Sequence, residues 1–545
     1  MEKYYEFFRL ATGYENPFEW QAEVADRIIN MGRGILVVRA GTGAGKTEAV
    51  VLPSLYDGRQ VIIVEPFRSI IEDLEERLVN EEEGLSLRRL ARALGIPYSL
   101  GIDYAGKRLL YVCYPNGKVE EKEPKRIPYG ADVILTTMDE LVYRVLSAGE
   151  GRKTSLYAML TRLASPLFFF DEVHSYSTET PNPLVTLVNE LMSVAKYTSA
   201  VVASATLSNA LIEHLEALAK LNDLHFYTYP DEGKPIPRRE RRYPKKVRIS
   251  LSSTGVHDIM DHVRELIDKG FNTILVRVIT PEDAYDIYSR LNFVLKNGYS
   301  LGIVHGRMGI LDRREVFKAL RKDMREGNKV VLVATPAIEA GVDLDFDACV
   351  MELAPWRSLE QTIGRVNRRY EKENNITIIV NTVESTWRIL STKEYLEDTI
   401  AVLREFEGGL VNWEEVSSKL RAVDEKYIRG ELDVPSLLNM YDSDYARLLA
   451  ISFFSLYHLE GTMLEYVLAL SKKAYETRGY VGVTAWIGTK ENRVRIPREI
   501  AERRKIEEGK KVPPDLVRRH DYVRPDGTRV IARGVIETVL AVQHK

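Results

Sequence analysis

Residues 40–47 read AGTGAGKT and residues 171–174 read DEVH, and each follows a short apolar run, GILVVR in the first case and LFFF in the second. Gly41, Thr42, Gly43, Ala44 and Gly45 make a turn whose successive amides can point at phosphate oxygens. Lys46 then meets the β- and γ-phosphates and Thr47 holds Mg²⁺. The strict form of this motif has glycine five residues before Gly45, where this chain has Ala40. A phosphate loop at the end of one strand calls for acids at the end of a neighbouring strand. Asp171 is expected to hold the metal through water, and Glu172 to orient and deprotonate the attacking water. DEVH alone could equally be an acidic strand end; Lys46 and Thr47 favour the nucleotide reading.

A second set of residues lies in QTIGRVNRR, 361–369. Gln361, Arg365 and Arg368 recur at intervals of four and three, the spacing of one helical face. Two arginines aimed at a cleft can neutralise charge developing on a γ-phosphate; the alternative is a basic surface helix. TPAIEAGVDLD, 335–345, precedes them at a strand end and is expected to bring Gly341 and Asp343 to the same cleft.

The elements that must position these residues are legible as short β-branched runs separated by amphipathic stretches. The first series is GILVVRA, VIIVEP, DVILTT, LFFFDE and AVVASAT; the second is KVRISL, NTILVRVI, LGIVHG, KVVLVAT, ACVMEL and ITIIV. This alternation predicts an α/β protein with two tandem domains, each a parallel sheet covered by helices. The expected boundaries are 1–235, 236–384 and 385–545. The Pro- and charge-rich stretch 229–246 is the expected linker between the first two. The third region is mainly helical, with long amphipathic stretches such as 443–476 and then a basic tail. Within 493–533, thirteen Lys or Arg face seven Asp or Glu, a solvated surface or one for nucleic acid or a partner.

The chain has 545 residues, enough for about three domains, and a formal charge of −3, so bulk charge makes no case for nucleic-acid binding. Cys113 and Cys349 stand alone, without ligand-spaced His or Cys neighbours, so no disulfide framework or zinc site is indicated. No apolar run reaches the ~20 residues that span a bilayer, and the N-terminus is unlike a signal peptide. The expectation is a cytoplasmic protein without membrane contact. Four glutamines amid abundant Glu, Lys and Arg suggest a thermophilic source.

Phe18 with Gln21, AGTGAGKT, PFRSI, ILTTMDEL, DEVH, SAT, VHGRM, ATPAIEAGVDLD and QTIGRVNR occur in the order of the superfamily 2 DExD/H helicase motifs. The resemblance covers about 15–370. DEVHSYS, IEAGVD and QTIGRVNRR look most like the helicase part of the type I CRISPR-associated helicase-nuclease. The resemblance implies two RecA-like domains, ATP and Mg²⁺ as cofactors, and 3′-to-5′ movement on single-stranded DNA during CRISPR interference. It implies that Gln21 reads the adenine edge, with Phe18 beside it. Pro66, Arg68, Thr136, Thr137, His305, Arg307 and Thr335 would line the track for the strand. Ser204, Thr206 and His174 would couple that track to hydrolysis, and Asp343, Gln361, Arg365 and Arg368 would complete the nucleotide site. A C-terminal accessory domain would close over the strand.

Fused members carry an HD nuclease domain before the helicase, and here the phosphate loop lies within the first fifty residues. The expectation is a stand-alone helicase subunit, partnered by a separate HD nuclease and recruited by a Cascade-type CRISPR effector complex. Neither His257-Asp258, on an amphipathic helix, nor His520-Asp521 is expected to replace that nuclease. The rival readings are a general DNA-repair or RNA helicase and an ATP-switched nucleic-acid clamp.

Overall fold

The computed structural model of the chain describes residues 1–41, 43–66, 68–80, 84–104, 107–122, 130–138, 140–141, 166–173, 188, 199–205, 207, 209–231, 242–251, 256–295, 298–338, 344–380, 393–431, 482–507 and 509–536. The chain divides into two compact units, residues 1–239 with 427–478, and residues 240–426 with 479–545.

In the first unit the strands are β1 (Gly34–Arg39), β2 (Val61–Glu65), β3 (Tyr98–Tyr104), β4 (Lys107–Cys113), β5 (Val119–Lys122), β6 (Val133–Thr137), β7 (Leu167–Phe170), β8 (Ser199–Ser204) and β9 (His225–Tyr229). They form one sheet in the order β5-β4-β3-β6-β2-β7-β8-β1-β9. From β3 to β9 the pairing is parallel; β4 and β5 add an antiparallel edge. The inner parallel strands β6, β2, β7, β8 and β1 are buried at nearly every position because both faces are covered. Val61, Ile63, Leu167 and Phe169 pack on one face with side chains of α1 (Glu2–Thr12), α2 (Glu19–Asn30), α3 (Lys46–Tyr56), α4 (Arg68–Val79) and α5 (Leu87–Leu94). Ile62, Val64, Phe168 and Phe170 pack on the other with Leu215 and Leu218 of the helix Asn209–Leu221.

The second unit repeats the architecture with β10 (Lys246–Ser250), β11 (Thr273–Arg277), β12 (Tyr299–Val304), β13 (Lys329–Ala334), β14 (Ala348–Glu352), β15 (Ile376–Val380) and β16 (Leu410–Asn412). The C-terminal residues supply β17 (Gly482–Trp486), β18 (Arg493–Pro497), β19 (Val517–Arg519), β20 (Tyr522–Val523), β21 (Arg529–Val530) and β22 (Arg533–Val535). The sheet order is β16-β10-β15-β14-β11-β13-β12-β20-β21, so the basic tail extends the second sheet. Leu301 pairs with Val523, and a Cβ on Gly302 would meet the Tyr522 ring at 2.7 Å, which accounts for glycine there. The Tyr522 hydroxyl donates to buried Asp323 at 2.9 Å, and Arg524 Nε reaches the same carboxylate at 3.0 Å.

The tail also reaches the loop after β12. Val535 N–H donates to the Arg307 carbonyl at 2.9 Å and Gly309 N–H to the Arg533 carbonyl at 3.1 Å. Between them His305 and His520 bring their Nε2 atoms to 3.3 Å, both rings fully buried. Arg307 N–H donates to His305 Nδ1, which leaves the His305 Nε2 proton to be donated to His520. Burial, reinforced by His520, Arg307 and Arg313, holds His305 well below the ordinary histidine range; burial lowers His520 to about 4 despite Asp521.

Both histidines therefore fold neutral and charge more easily when unfolded. Their contribution to stability is complete above pH ~6.5 and is lost as pH falls toward the folded value of about 4 for His520. The second unit should lose up to about 1.4 kcal/mol of stability per pH unit per histidine in that window. His520→Gln should flatten the acid limb of thermal midpoint against pH; an unchanged slope would remove His520 from this role.

Candidate nucleotide site

The phosphate loop joins β1 to α3. Gly43 and Gly45 take φ of 72° and 94°, left-handed values that a side chain resists, and α3 starts at Lys46 directly after Gly45. Ala40 continues the covered face of β1 and is fully buried, so its methyl fills core at the first position of the motif. A Cβ on Gly45 would lie 2.5 Å from Gln21 Nε2. Gln21 comes this close because its side chain joins two elements. Its Oε1 accepts from Phe18 N–H at 2.9 Å, capping α2, and its Nε2 donates to the Gly45 carbonyl at 2.9 Å. Nε2 carries a second hydrogen, which leaves a donor for a purine. Phe18 is 58% exposed beside it.

The parallel register sets the acids. Val64 pairs with Phe170, so Glu65 and Asp171 are the next residues on adjacent strands, and Asp171 N–H donates to the Val64 carbonyl at 3.1 Å. By strand alternation Glu65 follows Val61 and Ile63, and Asp171 follows Leu167 and Phe169, onto the α3 face. Glu172 would then point to the opposite face. It does not: its φ is 47°, a left-handed turn that costs a non-glycine residue of order 1–3 kcal/mol. The turn brings its Oε1 to 3.2 Å from Lys46 Nζ, while its N–H donates to Asp171 Oδ1 at 2.8 Å. This accounts for two adjacent acids after an apolar strand: one continues the strand, and the other is turned back beside it.

Lys46 is nearly buried. Burial raises the Asp171 carboxyl to about 7, with Lys46 opposing and Glu172 adding to the rise. Burial and the charges of Asp171 and Glu172 also push Glu65 well up. Glu48 is paired with Arg77 at 2.7 Å. Three acids thus face one buried ammonium, a donor set suited to a divalent cation that shares phosphate oxygens. Among the described residues no group of three or more His, Cys, Asp or Glu is placed to hold a metal ion, so a cation here would need phosphate oxygens to complete its ligands. Thr47, on the first turn of α3, and Asp171 fit as its protein partners.

Elsewhere along the carboxyl edge, Pro66, Thr136, Thr137 and Ser204 are buried. The Thr136 hydroxyl donates to the Asp103 carbonyl at 2.8 Å, and Thr137 Oγ1 accepts from Glu140 N–H. Thr42, His174, Thr206, Gly341 and Asp343 lie outside the described residues, and of Arg68 only its place at the start of α4 is described.

In the second unit the helix Trp356–Ile363 carries Gln361 and ends before the arginines. A helical face running from Gln361 to Arg368 is therefore not what forms. Gly364 caps the helix, and Val366 bridges to Phe346. The Arg365 carbonyl accepts from Phe346 N–H at 2.8 Å, and Asn367 N–H donates back to Phe346 at 2.9 Å. Asn367 turns with φ 45°, and Arg368 N–H donates to Asp345 at 2.8 Å. This pairing with residues 345–346, just ahead of β14, fixes the backbone at Arg365 and Arg368. Thr335 is buried at the end of β13, and Arg307 is held bidentately by Glu282 at 2.6 and 2.8 Å.

Residues 18–214 match the family described as DEAD/DEAH box helicase, and residues 271–371 match that described as CRISPR-associated nuclease/helicase Cas3, C-terminal. The chain carries a DEAD/DEAH box helicase domain and a Cas3-like C-terminal domain. With the first of these it is an ATP-dependent helicase. It is 25% identical over 491 residues to the CRISPR-associated helicase Cas3 of Thermoproteus tenax, covering 85% of this chain and 72% of that one. It is 20% identical over 448 residues to the CRISPR-associated nuclease/helicase Cas3 of Methanothermobacter thermautotrophicus, covering 78% of this chain and 49% of the relative. The helicase thus spans about half the length of that relative. The T. fusca Cas3-ADP crystal structure shares the fold at a TM-score of 0.62 and 17% identity, covering 91% of this chain and 65% of that one. A chain from a CRISPR RNA-guided surveillance complex in a pre-nicking state shares it at 0.54 and 17%, covering 88% and 59%. The two tandem α/β domains expected from the strand pattern, RecA-like by the resemblance, are therefore the fold of this chain. No described helix is long and apolar enough to cross a membrane.

Proposed function

We propose that this helicase uses ATP hydrolysis to move 3′ to 5′ along single-stranded DNA and to unwind target DNA in type I CRISPR interference. The observation that carries the chemistry is the Lys46–Glu172 contact at 3.2 Å, with Asp171 beside it. Lys46 holds the phosphates, Asp171 and Thr47 receive the cation that neutralises them, and Glu172 takes the proton of the attacking water. A bound Mg²⁺ would supply charge neutralisation at the β- and γ-phosphates. Phe18 and Gln21 face the adenine.

Gly341, Asp343, Gln361, Arg365 and Arg368 complete the site from the second unit when ATP draws the units together. Because ATP then contacts both units, its hydrolysis changes the balance of open and closed forms, as a coupled motor requires. Pro66, Arg68, Thr137, Arg307 and Thr335 position the strand through its backbone, and His174, Ser204 and Thr206 transmit the phosphate state to it. His305, fully buried against His520, and Thr136, fully buried with its hydroxyl on the Asp103 carbonyl, do not reach the strand as the resemblance implied. Residues 385–545 serve as the accessory region over the strand. Its partners on this reading are a separate HD nuclease and a Cascade-type complex, the second supported by a neighbouring fold that occurs in an RNA-guided surveillance complex.

Stimulation of ATP hydrolysis by single-stranded DNA against RNA of the same sequence tests the reading. Stronger stimulation by DNA is expected. Stimulation by RNA alone would transfer the assignment to an RNA helicase, and hydrolysis indifferent to either would leave an ATP-switched clamp.

A further inference from the structure

Glu65 ends β2 in VIIVEP and plays no part in the motifs that announce the nucleotide site. It is 1% exposed, and among the described residues its Oε2 is buried without a hydrogen-bond partner. A buried carboxyl oxygen left unmatched weakens a fold, and the apolar strand around it would accommodate leucine or valine at lower cost. Something other than packing therefore accounts for the acid.

Its position says what. Glu65 lies one residue beyond the Val64–Phe170 pair, level with Asp171 on the neighbouring strand and on the same sheet face as α3. Its charged neighbours are Asp171, Glu172, Lys46 and Arg77. Arg77 already pairs with Glu48, and Lys46 with Glu172. The unmatched oxygen thus sits beside two other carboxylates while Lys46 and Arg77 are engaged elsewhere, a place where either a proton or an added cation would relieve it.

Resting on the nucleotide reading above, we propose that Glu65 is a third carboxylate of the cation site. When a nucleotide carries its divalent metal in, Glu65 accepts hydrogen bonds from water on that metal and steadies it beside Asp171. Its role is positioning: it raises the affinity for the metal-bound nucleotide and leaves the metal-free nucleotide to Lys46 and the loop amides. Outer partners of this kind typically change metal affinity by about 10- to 100-fold.

The test uses the full chain with Glu65→Gln, which keeps shape, and Glu65→Leu, which removes the polar group. Binding of a fluorescent, non-hydrolysable ATP analogue is titrated in EDTA and across a Mn²⁺ series, and thermal midpoints are recorded without nucleotide. Both variants should bind the analogue in EDTA as the parent does, and their gain in affinity with Mn²⁺ should fall about tenfold or more. The Glu65→Leu midpoint should hold or rise. An unchanged gain with Mn²⁺ in both variants would overturn the proposal and leave Glu65 a structural acid. Lys46→Ala separates the two claims: if it too binds as the parent does, the nucleotide-site reading fails as well, whatever Glu65 does.

Discussion

Glu172→Gln should bind ATP at least as tightly as the parent and hydrolyse it about 10²–10⁴ times more slowly, the usual contribution of a positioned general base. The two halves of this expectation have separate causes. Lys46 is nearly buried and its counter-charge is Glu172 at 3.2 Å, so an incoming phosphate competes with that carboxylate. Neutralising Glu172 removes the competitor and leaves Lys46 to the nucleotide. The amide cannot accept a proton from water, so the chemical step loses its base. Equilibrium binding with single-turnover hydrolysis separates the effects. Undiminished turnover would exclude Glu172 as the base, and lost binding would make it a structural partner of Lys46.

Arg365→Ala and Arg368→Ala should each lower the hydrolysis rate by about 10³ or more, the scale on which a guanidinium stabilises phosphoryl transfer. Lysine should rescue neither fully, because an ammonium lacks the planar fork. Arg368 is the cleaner test, since Arg365 is buried and its loss also leaves a cavity. Single-turnover rates at saturating ATP, with thermal midpoints as a check on folding, give the answer. Full activity in Arg368→Ala would leave it as one cation of a basic surface turn.

Much of this was readable from residue order. Every strand expected from an apolar β-branched run is present, because a strand buried on both faces has no polar positions to obscure it. The edge went unread for the same reason: β4 and β5, in KRLLYVC and VEEK, are partly exposed and look like loop. The basic tail hid its strands because most have only one or two apolar residues each, with packing supplied by Gly302, Asp323 and His305 far away in sequence. The intervals of four and three in QTIGRVNRR suggested a helical face, but pairing with Phe346 stops the helix at Ile363.

At the site, composition identified Lys46, Asp171 and Glu172 but not the left-handed turn that lets consecutive acids serve one lysine. The resemblance led to the expectation that Gln21 meets the adenine; its bond to Gly45 needed coordinates. Glu65 was hidden in plain sight, as the single charge at the end of VIIVE. An acid closing a strand that is otherwise apolar is the same signal that singled out Asp171.

Strand displacement bears most directly on the whole account. A duplex with a 3′ single-stranded DNA tail should be separated in the presence of ATP and Mg²⁺, a 5′-tailed duplex should be left intact, and Glu172→Gln should separate neither. Separation of the 5′-tailed duplex alone, or hydrolysis by the parent protein without separation of either, would contradict it.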